Sequence, residues 1–235
     1  MARQSATYLS GKIGNLIFYT RNGGNFAKQA PVTVHQTNAT KASARSFGKS
    51  STLGKNFRRL LLPVIPFPQD REMQCRFAGA FTKWLTLNNN NPQPPQTNLP
   101  FITGFAFNAA TSIAERCKLP FTVSSPLPNI SEVQLPGFIP ANVFTAPAHT
   151  AAIQLTITVA ACSLHNAEAV AADTKQLHIV YDNNLVPAQT LQFNVAANAG
   201  TLLLTAVQIV YILQNGKTEE RNVFMPAGVV DGRCV

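Results

Sequence analysis

The stretch Gly48-Lys49-Ser50 carries the residue types of a phosphate-binding loop, in which backbone amides cradle phosphates and a lysine neutralises them. The first glycine of that pattern is missing, because Ser43 stands in its place. The segment also falls inside an expected helix rather than between a strand and a helix. Four histidines (His35, His149, His165, His178) lie in separate segments without an H-x-x-x-H pair. Cys75, Cys117, Cys162 and Cys234 show no C-x-x-C, so neither zinc-ligand nor redox spacing is present, and free buried thiols are expected. No G-x-S-x-G elbow supports a nucleophilic serine. Glu219 and Glu220 are neighbours on an expected strand and so point to opposite faces, a poor start for paired-carboxylate catalysis. The expectation is a non-enzymatic protein with no catalytic, metal or cofactor site, no cofactor and no small-molecule substrate.

The charge that could bind something is concentrated near the N-terminus. Residues 1–83 hold 13 Lys/Arg against Asp70 and Glu72, a balance of +11; residues 84–235 hold six against eight acids, a balance of −2. Such asymmetry suits a polyanion, an acidic partner or the complementary face of another copy. Lys41, Arg45, Lys49, Lys55, Arg58 and Arg59 line one expected helix, and Lys12, Arg21 and Lys28 decorate a hairpin before it. A stripe of this kind is enough to neutralise several phosphates without reading sequence. Few aromatics suited to base stacking accompany it, and no helix-turn-helix or RNA-recognition signature appears. Non-specific polyanion binding is therefore the alternative function.

The elements that position these residues are legible from local pattern. Ile13 to Thr20 is β-branched and aromatic, and Asn22-Gly23-Gly24 favours a tight turn into Asn25 to Ala30. An isolated hairpin is marginal in water, and Leu16 to Tyr19 is nearly continuously apolar, so it must pack on something larger. Ile13, Leu16, Ile17, Phe18, Tyr19, Phe26, Val32 and Val34 are the candidate assembly residues, the last two on an extended arm over 31–37. Asn38 or Thr40 is a candidate cap for a helix over 41–62, with Ala44, Phe47, Ser51, Gly54, Phe57 and Leu61 as its stripe. Pro63 and Pro66 stop it. Asp70 caps a second helix to Leu87, whose apolar face holds Met73, Phe77, Ala80, Phe81, Trp84 and Leu85. Residues 88–98, rich in Asn and Pro, read as a linker and domain boundary. From Leu99 on, period-two alternation predicts about seven strands, including 101–107, 130–135, 153–159, 203–213 and a return strand over 219–224 after Asn215-Gly216.

The expected fold is α+β: an N-terminal arm and hairpin (1–40), a two-helix basic segment (41–87), the linker (88–98) and an all-β immunoglobulin-like sandwich (99–235). Hydrophobic residues make up 46% and charged residues 12%, about half the usual charged share, which suits a surface largely covered by neighbours. The N-terminal residues lack a Sec-type apolar core and no run is long enough to span a membrane. A cytoplasmic or particle-associated location is expected, with release only by lysis or a dedicated export machine. The sequons at Asn38 and Asn129 carry no weight without such a route.

The segments GKIGNLIFYTRNGGNF, VTVHQTNATKASARSFGKSS and FRRLLLPV together resemble a family of uncharacterised bacterial proteins. In that family an N-terminal GK(I/V)GN(L/V)(V/I)(F/Y)Y-x-RNG hairpin precedes a V-QT-ATKASA-FG segment and an Arg-Leu-rich helix end. The likeness covers about the first 65 residues, and here NFAKQAP departs from the commoner aromatic-basic second strand. The resemblance implies this plan of elements and no activity. The expected role is a structural subunit that assembles with copies of itself into a filament or a phage-like particle component.

Overall fold

The computed structural model describes residues 3–5 (backbone only), 8–33, 36–66, 70, 72–92, 95–127, 129–196 and 198–235. The chain is α+β, with antiparallel strands in three sheets, and divides into two compact units, Met1–Ser43 and Ala44–Val235. The division falls in the first turns of a helix rather than in the Asn/Pro-rich stretch at 88–98. The reason is packing: both helices share a core with strands of the second unit.

The first unit is a four-stranded meander, not a two-stranded hairpin: β1 (Arg3–Ser5), β2 (Tyr8–Ile13), β3 (Leu16–Arg21) and β4 (Gly24–Gln29) pair in chain order. The expected strand over 13–20 is broken because Gly14 adopts φ 59° and turns the chain between β2 and β3. Asn22 and Gly23, with φ 49° and 76°, make the anticipated tight turn between β3 and β4.

α1 (Asn38–Leu60) is capped by Thr37, whose Oγ1 accepts from the Thr40 amide at 3.2 Å, rather than by Asn38 or Thr40. Its buried stripe is Ser50, Leu53, Gly54 and Phe57, continued by Leu61; Ala44, Phe47 and Ser51 are exposed, Phe47 at 65%. Gly54, Phe57 and Leu61 of the expected stripe are thus buried and its N-terminal three positions are not, because only the second half of the helix packs on a partner. That partner is α2 (Met73–Leu87), which presents the anticipated face of Met73, Phe77, Ala80, Phe81, Trp84 and Leu85. Phe57 and Phe81 stack at 5.6 Å, and a Cβ on Gly54 would lie 3.3 Å from the Ala78 Cα. Gly54→Leu should therefore force the helices apart and cost about 1–3 kcal/mol, despite a helix-propensity gain of about 1. Urea unfolding followed by far-ultraviolet circular dichroism measures it. α2 starts after Asp70, which still accepts from the Glu72 amide (2.9 Å) and from Arg76 Nη2 (2.6 Å). These two contacts, the amide first, hold the Asp70 carboxyl below its ordinary range.

A five-stranded antiparallel sheet lies at the centre of the second unit, in the order β5 (Gln96–Thr97), β12 (Ala227–Cys234), β11 (Thr201–Leu213), β8 (Thr150–Ser163), β9 (Ala169–Val180). On one face, Ala160, Cys162, Leu202, Leu204, Ala206 and Val229 pack with the helix pair. On the other, Ile153, Leu155, Ile157, Val207, Ile209 and Tyr211 meet Val133, Leu135 and Phe193. Those last residues come from a three-stranded sheet ordered β10 (Gln189–Phe193), β7 (Ile130–Leu135), β6 (Thr122–Leu127). Two short helices, α3 (Ile113–Arg116) and α4 (Pro140–Val143), lie in the connections.

Two expected strands differ. Residues 101–107 form turns and a single bridge from Ala106 to Gly228. Residues 219–224 contain a 3-10 turn, and the strand that returns against β11 is β12. The polar alternation Glu219-Glu220-Arg221-Asn222 has no apolar face to bury, whereas Ala227 and Val229 do.

Candidate functional site

The meander earns the position of candidate site because its side chains lack a core. None of the residues from Tyr8 to Gln29 is buried, and Tyr8, Leu9, Ile13, Leu16, Tyr19 and Phe26 are between 37 and 55% exposed. Single exposed apolar residues are ordinary on protein surfaces; six within 19 residues of one small sheet, three to a face, are a concentration of the kind that marks interaction sites.

Pairing register divides these residues between two faces. Directly opposed residues share a face, so Ile13–Leu16 and Phe18–Ala27 lie on one side, with Thr20, Asn25 and Gln29. That side carries no charge. Lys12, Ile17 and Lys28 occupy one cross-strand row of the opposite side, followed by Tyr19 with Phe26 and then Arg21 with Gly24. The eight candidate assembly residues therefore separate. Ile13, Leu16 and Phe18 come together on the uncharged face; Ile17, Tyr19 and Phe26 share the basic one. Val32 follows the meander at 99% exposure, and Val34 lies outside the described residues, as does His35. Sequence reading merged the two faces because it ran one strand through the turn at Gly14.

Most basic residues of α1 face solvent, and Arg58 reaches across to α2. Lys41, Arg45, Lys55 and Arg59 are exposed; Lys49 and Arg58 are half-buried, and Arg58 Nη1 donates to Gln74 Oε1 at 2.6 Å. Arg58 and Arg59 also occupy the last turn, where cations oppose the negative end of the helix dipole. Gly48-Lys49-Ser50 is helix surface and packing: Ser50 is buried, donates to the Phe47 carbonyl and shares a 2.7 Å hydrogen bond with Thr82 Oγ1.

Elsewhere the reactive side chains are engaged or isolated. Glu219 is gripped by Arg221 through Nε (2.8 Å) and Nη2 (2.6 Å), chiefly that side-chain contact holding its carboxyl at about 2, while Glu220 is exposed. Burial pushes the Cys117 thiol up to about 11 and the Cys162 thiol up to about 12, well away from nucleophilic range. Cys234 is buried too, but Cys75 is exposed on α2, against expectation, because it sits off the packed face. His178 is exposed on β9. Among the described residues no group of three His, Cys, Asp or Glu could hold a metal ion. No helix of the described residues is long and apolar enough to cross a membrane.

Two open strand edges were not anticipated. β4 pairs only with β3, and β9, twelve residues long, pairs only with β8 among the described residues. The end of β10 meets the N-terminal half of β9, where the Asn194 amide donates to Asp173 Oδ2 at 2.9 Å and Lys175 lies over the Phe193 ring, so it is the C-terminal half of β9 that offers backbone donors and acceptors to another strand. A groove of about 400 Å³ runs beside that C-terminal half, lined by Leu177, Val180, Leu185 and Val186 among others. No protein-family model matches this sequence, and a comparison with curated proteins gives no match.

Proposed function

We propose that this protein is a non-enzymatic structural subunit that assembles with copies of itself through the N-terminal meander. One observation carries the reading: the four-stranded sheet has an uncharged apolar face, Ile13, Leu16 and Phe18, with no buried residue from Tyr8 to Gln29. A sheet of this size is stable when such a face is covered. A second copy supplies the cover. Its residues 84–235 are net negative and Met1–Ser43 carries no acid, so the two attract at long range, although Lys12, Arg21 and Lys28 themselves stand on the face opposite the contact. Its open β9 edge, with the adjoining groove, offers a strand-addition site to the meander or arm. Contact between two different surfaces is head-to-tail, and its repetition gives a ring or an open filament. A filament or a phage-like particle component are the two forms it takes.

The body that carries the contact is an immunoglobulin-like sandwich in this reading. The support is strand order. Taking β6 to β12 in sequence, the first, second and fifth strands form one sheet and the third, fourth, sixth and seventh the other, with the third beside the sixth. That arrangement parallels the ABE and C′CFG grouping within immunoglobulin-type sandwiches. Negative-stain microscopy of the purified chain tests the assembly: repeated particles or filaments are expected, and uniform single subunits would oppose it.

A further inference from the structure

The basic face of the meander is a binding surface in its own right, separate from the uncharged face used for assembly. We propose that it takes single-stranded nucleic acid, with unpaired bases stacked on Tyr19 and Phe26 and the phosphates held by Lys12, Arg21 and Lys28.

The geometry is specific. Tyr19 and Phe26 face each other across β3 and β4 with ring centroids 5.7 Å apart and planes 26° from parallel. Both rings keep a large part of their surface in solvent after that contact. The Phe26 ring leans back along its strand over Gly24: a Cβ there would come within 2.9 Å of Phe26 Cε2. Any side chain at Gly24 would lift the ring off the sheet, so the glycine keeps the aromatic platform low. Lys28 Nζ stands 5.5 Å from the centre of the Tyr19 ring, in cation–π range. Lys12 and Lys28 flank Ile17 one row away, and Arg21 closes the other end. Cross-strand rows are about 7 Å apart along a strand, so the cations bracket the ring pair on both sides.

A cross-strand aromatic pair is a common stabiliser of a hairpin. That role does not account for three cations gathered round it. Among the described residues none of Lys12, Arg21 and Lys28 has a carboxylate within ion-pair reach, and Met1–Ser43 contains no Asp or Glu at all. Like charges so placed repel, and a polyanion relieves the repulsion. Partly exposed aromatic rings set among cations are the combination that binds single strands, because every base has a face to stack and every nucleotide a phosphate. Among the described residues of β2 to β4 no amide side chain stands on this face to read base edges, since Asn25 and Gln29 belong to the opposite one; recognition is therefore sequence-tolerant. A duplex keeps its base faces stacked internally and offers only its phosphates.

The test is fluorescence anisotropy of a fluorescein-labelled oligothymidylate of about twenty nucleotides, titrated with the whole chain at about 50 and about 200 mM salt. Tyr19→Ala and Phe26→Ala are each expected to weaken binding about 5- to 150-fold, and Tyr19→Phe to retain it. Replacing Lys12, Arg21 and Lys28 together by Gln should lower the logarithmic salt slope by about 2. Lys41→Gln with Arg45→Gln on α1 should change little. Tyr19→Trp keeps the ring and the fold, and its emission should be quenched by the oligonucleotide. Polar substitutions at Leu16 and Phe18, on the other face, should leave the stacking contribution intact, so this inference and the assembly reading fail separately. Absence of binding overturns the proposal. So does equal affinity for a matched duplex, unchanged affinity in both alanine variants, or an unquenched Tyr19→Trp, each of which leaves a charge-only surface.

Discussion

Replacing Leu16 and Phe18 together by Thr should dissolve the proposed assembly while leaving the body of the protein folded. Both side chains lie on the uncharged face of the meander, fixed there by pairing with Ile13 and Ala27. Threonine suits a strand, so the four-stranded pairing itself is retained. What disappears is apolar surface to bury against a neighbour. A large apolar side chain contributes about 1.5–3 kcal/mol when covered, and threonine recovers part of that. A loss of about 3 kcal/mol per contact corresponds to roughly a hundredfold weaker association. Sedimentation velocity should show the parent's large species replaced by a 25.4 kDa subunit, with the thermal unfolding of the body unchanged. An unaltered distribution of large species would move the contact away from this face.

Trp84→Ala should be the most destabilising single change in the second unit. Trp84 is fully buried on α2, in the core that joins the helix pair to the five-stranded sheet. Its indole Nε1 donates to Gln96 Oε1 at 3.3 Å, and Gln96 Nε2 donates to Asn88 Oδ1 at 2.8 Å. Asn88 Nδ2 then donates to the Trp84 carbonyl at 2.9 Å. The residue thus fills the core, and its polar atom is satisfied through the start of β5. Large-to-small substitution at such a site costs about 3–5 kcal/mol, roughly a fifth or more of the stability of an ordinary domain. Losing the indole also leaves the Gln96 carbonyl without this donor. Chemical unfolding followed by circular dichroism measures the loss; a change below about 1 kcal/mol would mean that the helices are not part of the sheet's core.

The same residues show how far the sequence could be read. Trp84 and its neighbours at helical spacing disclosed the packed face of α2, since a helix of 15 residues with six buried positions repeats its signal several times. α1 was legible as a helix and, at Gly54, Phe57 and Leu61, in its packed face; Ala44, Phe47 and Ser51 misled because the first half has no buried face and its small residues give little periodicity. In the sheets, β8 and β11 alternated visibly, yet Thr156 and Thr158, the polar half of that pattern, are buried. The helical layer and the loop after α1 cover that face, and Thr158 shares a 2.9 Å hydrogen bond with Thr174 across the strands. β12 was missed because its glycines carry no hydropathy signal. Gly228 is demanded by tertiary contact alone, as a Cβ there would come within 2.5 Å of the Phe105 carbonyl oxygen.

At the meander, the tight turn at Asn22-Gly23 and the apolar excess were visible in one dimension. The division into an uncharged and a basic-aromatic face was not, because it depends on the φ of Gly14 and on pairing between strands. The stacked pair of Tyr19 and Phe26 likewise requires the register before it can be seen. Local chemistry disclosed the elements; which side chains share a surface came only from their pairing.

The most direct measurement is the mass of the purified chain in solution across a wide concentration range, by sedimentation velocity with light scattering. The account predicts species many times larger than 25.4 kDa that grow with concentration and are lost in the Leu16→Thr, Phe18→Thr variant. A single 25.4 kDa species at every concentration would contradict it.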